Sequence, residues 1–300
     1  MSRKSLQGES KEKNRGWLLP DDVGRGLTPG LYLVATPIGN LRDMSLRALD
    51  TLSQADGVLC EDTRVSGKLL KYYGIAQKLS VYNDHSDEAV REKIVARILG
   101  GEALALISDA GMPLVSDPGY KLVVDVQRAG LNVTSVPGAN AALAGLQLSG
   151  LGSDRFSFMG FLPSKSAARR SILHEWQGTP GTLIAFETAP RLLAALDDIE
   201  SALPGRRVAV VRELTKLYEE VRCDDVAALR AHYEAQGPVK GEIVLVIEAA
   251  QMRVYDEDEL KALLEKTLQY MSTKDAAAQV AELSGQSKKK LYALALEISK

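Results

Sequence analysis

"ALALISDAGMPLVSDPG", Ala103 to Gly119, passes from an unbroken apolar run into a loop of small and turn-forming residues. Ala103–Ile107 has the length and composition of a strand buried on both faces, and Gly111, Pro113, Pro118 and Gly119 end it. In an open α/β sheet, the loop at the carboxyl end of such a strand is where ligands bind. This loop carries two carboxylates, Asp109 and Asp117, and the sequence here has neither GxGxxG nor GxxxxGK[ST]. Asp109 would repel a phosphate. The competing reading makes both residues turn formers whose side chains bond the nearby backbone.

Outward from this stretch, strands and helices alternate. "LYLVAT", "GVLC", "KLSVYN", "ALALI" and "NVTSVPG" are strands, separated by amphipathic helices such as "SLRALDTLSQA", with Ser45 as its N-cap. That alternation predicts a mostly parallel sheet covered on both faces, over residues 31–151. "LGSDRF" reads as a linker, and a second α/β unit occupies 152–252. Its short, closely spaced strands around Tyr218 and Glu242 predict antiparallel edges, hence a mixed sheet. Residues 253–300 are helical only, with Ala281, Gly285 and Leu291 at helix-turn-helix spacing. Residues 1–30 mix both charges with Gly and Pro and read as a disordered tail. The fold class is α/β: two α/β domains with a cleft between them, plus a helical appendix.

Three hundred residues at 45% hydrophobic can bury one large core or two ordinary ones. A net charge of −2 offers nucleic acid no global footprint, so any basic surface must be local. Cys60 and Cys223 are far apart, and His85, His174 and His232 are scattered, so no metal site is expected. No apolar run is long enough to span a membrane, and a cytoplasmic protein is expected.

Two further strand exits share the character of the first: "ATPIGN", with Pro37, Ile38, Gly39 and Asn40, and "SVPGAN", with Pro137, Gly138, Ala139 and Asn140. Three Gly/Pro loops at one sheet edge make a concave floor. Carboxylates bind ribose hydroxyls, amines and sulfonium cations, and S-adenosylmethionine offers all three without a phosphate. These loops, with Asp109, Ala110, Gly111, Met112 and Pro113, are the candidate donor site, and Phe186 at the end of "TLIAF" is counted with them.

The blocks "LYLVATPIGNLRDMSLRALDTLSQADGVLCEDTR", "SDAGMPLVSDPGY", "VPGANAALAGLQLSGL", "FMGFLPSK" and "VRELTKLYEE" together resemble the ribosomal RNA small-subunit methyltransferase I family, from about Leu31 to the C-terminus. The resemblance implies the tetrapyrrole-methylase fold, with S-adenosylmethionine in the cleft between two α/β domains. It implies methylation of the ribose 2′-hydroxyl of a cytidine in the decoding region of 16S rRNA, within the small ribosomal subunit, and a homodimer. In that family's pattern Met112 stands where Thr is common, and Pro190 replaces the usual His beside Glu187 and Arg191.

A ribose hydroxyl is a poor nucleophile, so its methylation needs a general base or a cation facing the developing alkoxide. "CEDTR" supplies Glu61, Asp62 and Arg64 at a strand exit; the competing reading makes Asp62 or Thr63 a helix cap and Arg64 a surface ion-pair partner. "VRELTK" supplies Lys216, either a steering cation or, if burial lowered its pKa, a base. For RNA the clusters are Lys165, Arg169 and Arg170, and Lys288, Lys289 and Lys290; solvated helix faces are the alternative for each. A tetrapyrrole methyltransferase and a non-enzymatic RNA-binding module remain competing readings. The apolar helix "AALAGLQLSG" could serve an interface or a core.

Overall fold

The computed structural model describes residues 26–83, 86–250 and 255–298. Its first half runs β1 (Gly30–Val34), α1 (Leu46–Gln54), β2 (Gly57–Cys60), α2 (Thr63–Tyr72), β3 (Leu79–Val81) and α3 (Glu88–Leu99). It continues through β4 (Ala103–Leu106), α4 (Tyr120–Arg128), β5 (Val133–Val136) and α5 (Ala141–Ser149). All five strands are parallel, in the order β3-β2-β4-β1-β5. Side chains of a strand alternate between faces, and β4 divides accordingly. Ala103, Ala105 and Ile107 pack with Leu52 and Leu70 of α1 and α2, while Leu104 and Leu106 pack with Ile98 and Leu122 of α3 and α4. Two apolar faces are why this stretch reads as an unbroken run.

The order of strands places the site. From β1 the chain crosses to β2 on one side of the sheet, and from the adjacent β4 it crosses to β5 on the other. The exits of β1 and β4 therefore diverge and leave a crevice at their carboxyl ends. A backbone pair holds the two loops together there: Thr36 N–H donates to Gly111 O at 2.8 Å and Gly111 N–H to Thr36 O at 3.1 Å. Ser45 caps α1 as its sequence implies, its Oγ accepting from Ala48 N–H at 3.1 Å.

The second half comprises β6 (Phe156–Phe161), α6 (Ser166–Glu175), β7 (Thr182–Thr188), α7 (Leu192–Ala202) and β8 (Arg207–Arg212). β9 (Glu220–Asp225), α8 (Val226–Gln236) and β10 (Glu242–Ile247) complete it. The sheet order is β6-β7-β10-β8-β9; β6 and β7 are parallel and the remaining pairs antiparallel. The expected mixed sheet is present, with one correction. β9 is an edge strand, but the strand at Glu242 lies between β7 and β8, where Ile243–Ile247 are buried. Five consecutive apolar residues fit a centre strand and would be wasteful at an edge.

α5 belongs to the first half in sequence and packs on the second sheet. Ala142 and Leu146 share a core with Val211, Val244 and Val246, and a side chain at Gly145 would approach Val244 Cγ1 to 2.7 Å. The helix that could have served an interface is therefore core, joining both sheets into one compact unit that extends to Glu248.

Ala249–Lys300 form a separate unit with, among the described residues, three helices: α9 (Glu257–Leu268), α10 (Thr273–Ser284) and α11 (Lys288–Ile298). Leu260, Leu264, Val280 and Leu291 make its core. Gly285, at φ +66°, ends α10 in the left-handed conformation that glycine adopts most cheaply. Residues 1–25 of the expected tail, His85 and the expected boundary at 252–253 lie outside the described residues. At the end of that tail Gly30 is a correction, since it is buried as the first residue of β1 and pairs with Ala103. No helix among those described is long and apolar enough to cross a membrane.

Candidate active site

The crevice above β1 and β4 opens into a cavity of ≈320 Å³ bounded by both sheets. Ile38, Val211, Leu214 and Val244 give it an apolar wall. Glu61, Asp109, Asp117, Glu187 and Glu242 also line it, and among the described residues no lysine, arginine or histidine does. Arg191 and Lys216 pair with Glu187 and Glu242 from outside the lining. At the lining itself a phosphate would meet carboxylate oxygens, and a sulfonium or ammonium would meet the opposite charge. The lining thus fits a cationic, largely apolar molecule.

A second cavity, ≈580 Å³, adjoins the first and shares Ile38, Asp109, Ala110 and Glu242 with it. Its other walls are α2, the Pro37–Gly39 loop and Lys216. The two sheets meet at Gly39: a side chain there would come within 2.6 Å of Lys216 Cγ and 2.7 Å of Thr215 Oγ1. Asn40 N–H donates to Thr215 Oγ1 at 3.0 Å across the same junction.

Backbone strain gathers at this place. Among the described residues, four non-glycine residues have left-handed φ: Leu114 (71°), Ser116 (66°), Glu213 (52°) and Thr215 (64°). Two lie in the β4 exit loop and two in the β8 exit loop. Such conformations cost about 1–3 kcal/mol each and persist where surrounding structure imposes them, most often around functional sites.

Of the residues expected to hold a donor, Ile38, Asp109, Ala110, Gly111, Met112, Asn140 and Phe186 line the first cavity. Pro37 and Gly39 line the second. Asn40, Pro113, Pro137, Gly138 and Ala139 line neither, though the Pro137–Asn140 loop flanks the first through Asn140. Burial raises the Asp109 carboxyl above its ordinary value; a hydrogen bond from the Asp62 backbone opposes this and the Asp62 charge adds to it. Asn140 caps α5, its Oδ1 accepting from Leu143 N–H at 3.0 Å, and its Nδ2 lies 3.4 Å from Met112 Sδ. Asn40 likewise caps a short 3₁₀ turn over Leu41–Asp43. The thioether at 112 therefore contacts a polar neighbour. Pro190 sits in the 3₁₀ turn Ala189–Arg191 that follows β7, and Arg191 bonds Glu187 at 2.5 Å.

The catalytic candidates separate. Glu61 lines the first cavity. Asp62 is the N-cap of α2, accepting from Arg64 N–H at 2.8 Å and from the Arg64 guanidinium at 2.6 Å, which together hold its pKa at about 2. This pair takes the capping alternative, and neither Asp62 nor Arg64 lines either cavity.

Lys216 requires a correction. Burial alone would lower its pKa, but Nζ donates to Glu213 Oε1 at 2.7 Å and Glu242 Oε2 at 2.9 Å, and the net shift is upward. Held by two carboxylates, it is a fixed ammonium, and the lowered pKa that a base would need is absent. Burial would raise the Glu213 carboxyl, yet Lys216 and the Glu242 N–H hold it below its ordinary value.

Arg169 requires another. It is 2% exposed, its Nε donates to Asp198 Oδ2 at 2.7 Å, and its remaining donors reach Pro163 O and Ala194 O. Removing one partner of such a pair costs about 3–5 kcal/mol. It joins α6 to α7 and is not available to phosphate. Arg170 lies 3.6 Å from the same Asp198, and Lys165 is exposed at the start of α6. Lys288, Lys289 and Lys290 are all exposed in the first turn of α11.

Reading along the chain missed Val115, Ser116, Thr188, Val211 and the first residues of β10, all of which line the first cavity. β10 brings Glu242–Val244 beside the ends of β7 and β8 by pairing, a relation that local spacing does not carry.

Residues 30–230 match the family described as Tetrapyrrole (Corrin/Porphyrin) Methylases, and 255–299 match the RsmI C-terminal HTH domain. The chain is 52% identical over 278 residues to ribosomal RNA small subunit methyltransferase I of Erythrobacter litoralis, covering 93% of this chain and 98% of that one. It is 46% identical over 275 residues to the protein of the same name from Mesorhizobium japonicum, covering 91% and 94%. Among solved structures, uroporphyrin-III C-methyltransferase from Thermus thermophilus, complexed with S-adenyl homocysteine, superposes with a TM-score of 0.50 at 18% identity, covering 73% of this chain and 97% of that one. That likeness concerns the fold.

Proposed function

The chain belongs to the ribosomal RNA small subunit methyltransferase I family, and from that premise we propose that it transfers a methyl group from S-adenosylmethionine to the ribose 2′-hydroxyl of a cytidine in the decoding region of 16S rRNA. The observation that carries the donor assignment is the first cavity's lining, five carboxylates with no basic side chain among the described residues. When bound, the donor supplies an electrophilic methyl carbon on a sulfonium.

The residues of the chain do the rest. Asp109 and the backbone of Ala110 and Gly111 hold the donor, with Ile38, Leu214 and Val244 excluding water from its apolar parts. Gly111, at φ +88°, lets the backbone approach where a side chain would meet Ile38 Cγ2 at 3.3 Å. The acceptor ribose enters from the second cavity and meets the donor above the shared wall of Ile38, Asp109 and Ala110. Alignment in line with the breaking carbon–sulfur bond carries much of the rate. As the 2′-oxygen bonds the methyl carbon and the carbon–sulfur bond breaks, the hydroxyl proton passes to Glu61, the catalytic candidate that lines the first cavity. The negative charge developing on oxygen faces the Lys216 ammonium, fixed in advance by two carboxylates.

The acceptor is recognised within the small ribosomal subunit, the protein works as a cytoplasmic homodimer, and the unit from Asp256 onward contributes RNA contacts through Lys288–Lys290. Sedimentation at micromolar concentration tests the dimer; a single 32.4 kDa species contradicts it. The main test is incubation with methyl-labelled donor and small subunits from cells lacking the protein. Label on the 2′-oxygen of one cytidine is expected. Label on a precorrin and none on RNA would instead support a tetrapyrrole methyltransferase.

A further inference from the structure

α2 carries Lys68 and Tyr72 on the side that walls the second cavity, with Lys71 one turn from Lys68. Tyr72 is 63% exposed although α2 buries Ser66 and Leu70. Its ring packs perpendicular to that of Tyr73, centroids 5.0 Å apart, and most of its surface remains open to solvent. Lys68 and Lys71 are exposed and form no ion pair among the described residues, whereas Arg64 on the same helix is spent on Asp62. Val65 and Leu69 complete the wall with apolar surface.

An exposed aromatic ring beside unpaired ammonium groups is the arrangement that holds single-stranded nucleic acid, the ring taking a base and the cations its phosphates. Here it stands next to the acid-lined cavity, the two sharing Ile38, Asp109, Ala110 and Glu242. We propose that α2 is the acceptor-nucleotide platform: Tyr72 stacks on an unpaired base at or beside the target, and Lys68 and Lys71 hold its flanking phosphates. The inference rests on the reading of the protein as an RNA methyltransferase and adds the surface that presents the ribose. Charge favours this occupant over a second copy of the chain, since a symmetric contact would set the same unpaired lysines against each other.

The test uses the full chain, S-adenosylmethionine and small ribosomal subunits, with a short cytidine-containing oligoribonucleotide as a binding probe. Tyr72→Ala is expected to raise KM for the subunits about tenfold, as loss of one stacked base does, with kcat and donor affinity within about twofold. Tyr72→Phe, which keeps the ring, is expected to restore KM. Lys68→Ala with Lys71→Ala is expected to reduce the salt slope of oligonucleotide binding by about 1.4. Unchanged KM and unchanged slope in a wild-type background that turns over would overturn the proposal. So would a parallel loss of donor affinity, which would assign the wall to the donor, or a shift in sedimentation, which would assign it to a second copy. Should the wild type methylate no RNA at all, the functional reading fails, while the oligonucleotide binding of the same variants still decides whether α2 holds RNA.

Discussion

The two walls of the cleft are built by opposite means. On the first sheet every strand is parallel, so β1, β2, β4 and β5 deliver their exit loops to one edge, and each loop is a continuous run such as Ile107–Gly119. On the second sheet β10 runs against its neighbours, and its beginning, Glu242–Val244, lies beside the ends of β7 and β8. Its residues come from positions near 187, 213 and 242 and form a wall only after pairing. In the proposed reading the work divides as well. The first wall brings Glu61, Asp109 and Gly111 to the donor, while the second adds Glu187, Glu242 and apolar surface to the same cavity and carries the Lys216 ammonium proposed to face the acceptor.

The largest effect that would break this division belongs to the second wall. Lys216→Ala is expected to lower kcat about 10²–10³-fold, the usual loss for one pre-set donor to a developing oxyanion, with donor affinity unchanged by calorimetry. The pH profile sharpens the point. Because the pKa of Lys216 is raised, the charged form is present throughout the neutral range and is lost only as pH rises past the ordinary lysine value. Lysine deprotonation should therefore add no ascending limb to kcat, and one that vanished in Lys216→Ala would show a base and contradict the assignment.

A smaller effect belongs to the first wall. Asp109→Ala is expected to weaken donor binding by about 1–3 kcal/mol, the range for a charge-assisted hydrogen bond, measured by the same titration. An unchanged affinity would return Asp109 to a turn-forming role. The smallest expected effect lies in the unit beyond Ala249. Replacing Lys288, Lys289 and Lys290 by Ala should reduce the salt slope of RNA binding by about 2 and leave donor affinity intact. An unchanged slope would remove that cluster from the RNA interface.

The first wall was legible in the sequence because its signals are local. Gly111 in the β4 exit loop and the breakers around it stand in one stretch, and the unbroken apolar run before them reports a strand covered on both sides. Ser45 and Gly285 likewise mark the helix ends that they form. What was not legible depends on partners distant in the chain. Arg169 and Arg170 are neighbours in sequence, yet Asp198 on α7 buries the first and leaves the second exposed. Lys216 reads as a free lysine along the chain, yet the β8 exit loop folds Glu213 back onto it and β10 brings Glu242 from 26 positions away, and the two together turn its pKa upward. The strand at Glu242 was placed at an edge because spacing reports that strands are close, not which one enters the middle.

The central claim is that the crevice where β1 and β4 diverge holds the methyl donor. A crystal structure of the protein grown with S-adenosylhomocysteine tests it directly. The account predicts the ligand in the ≈320 Å³ cavity, against Ile38, Asp109–Gly111 and Leu214, its amino group and ribose facing carboxylates. The ligand bound elsewhere, with the β1 and β4 exit loops facing only solvent, would contradict it.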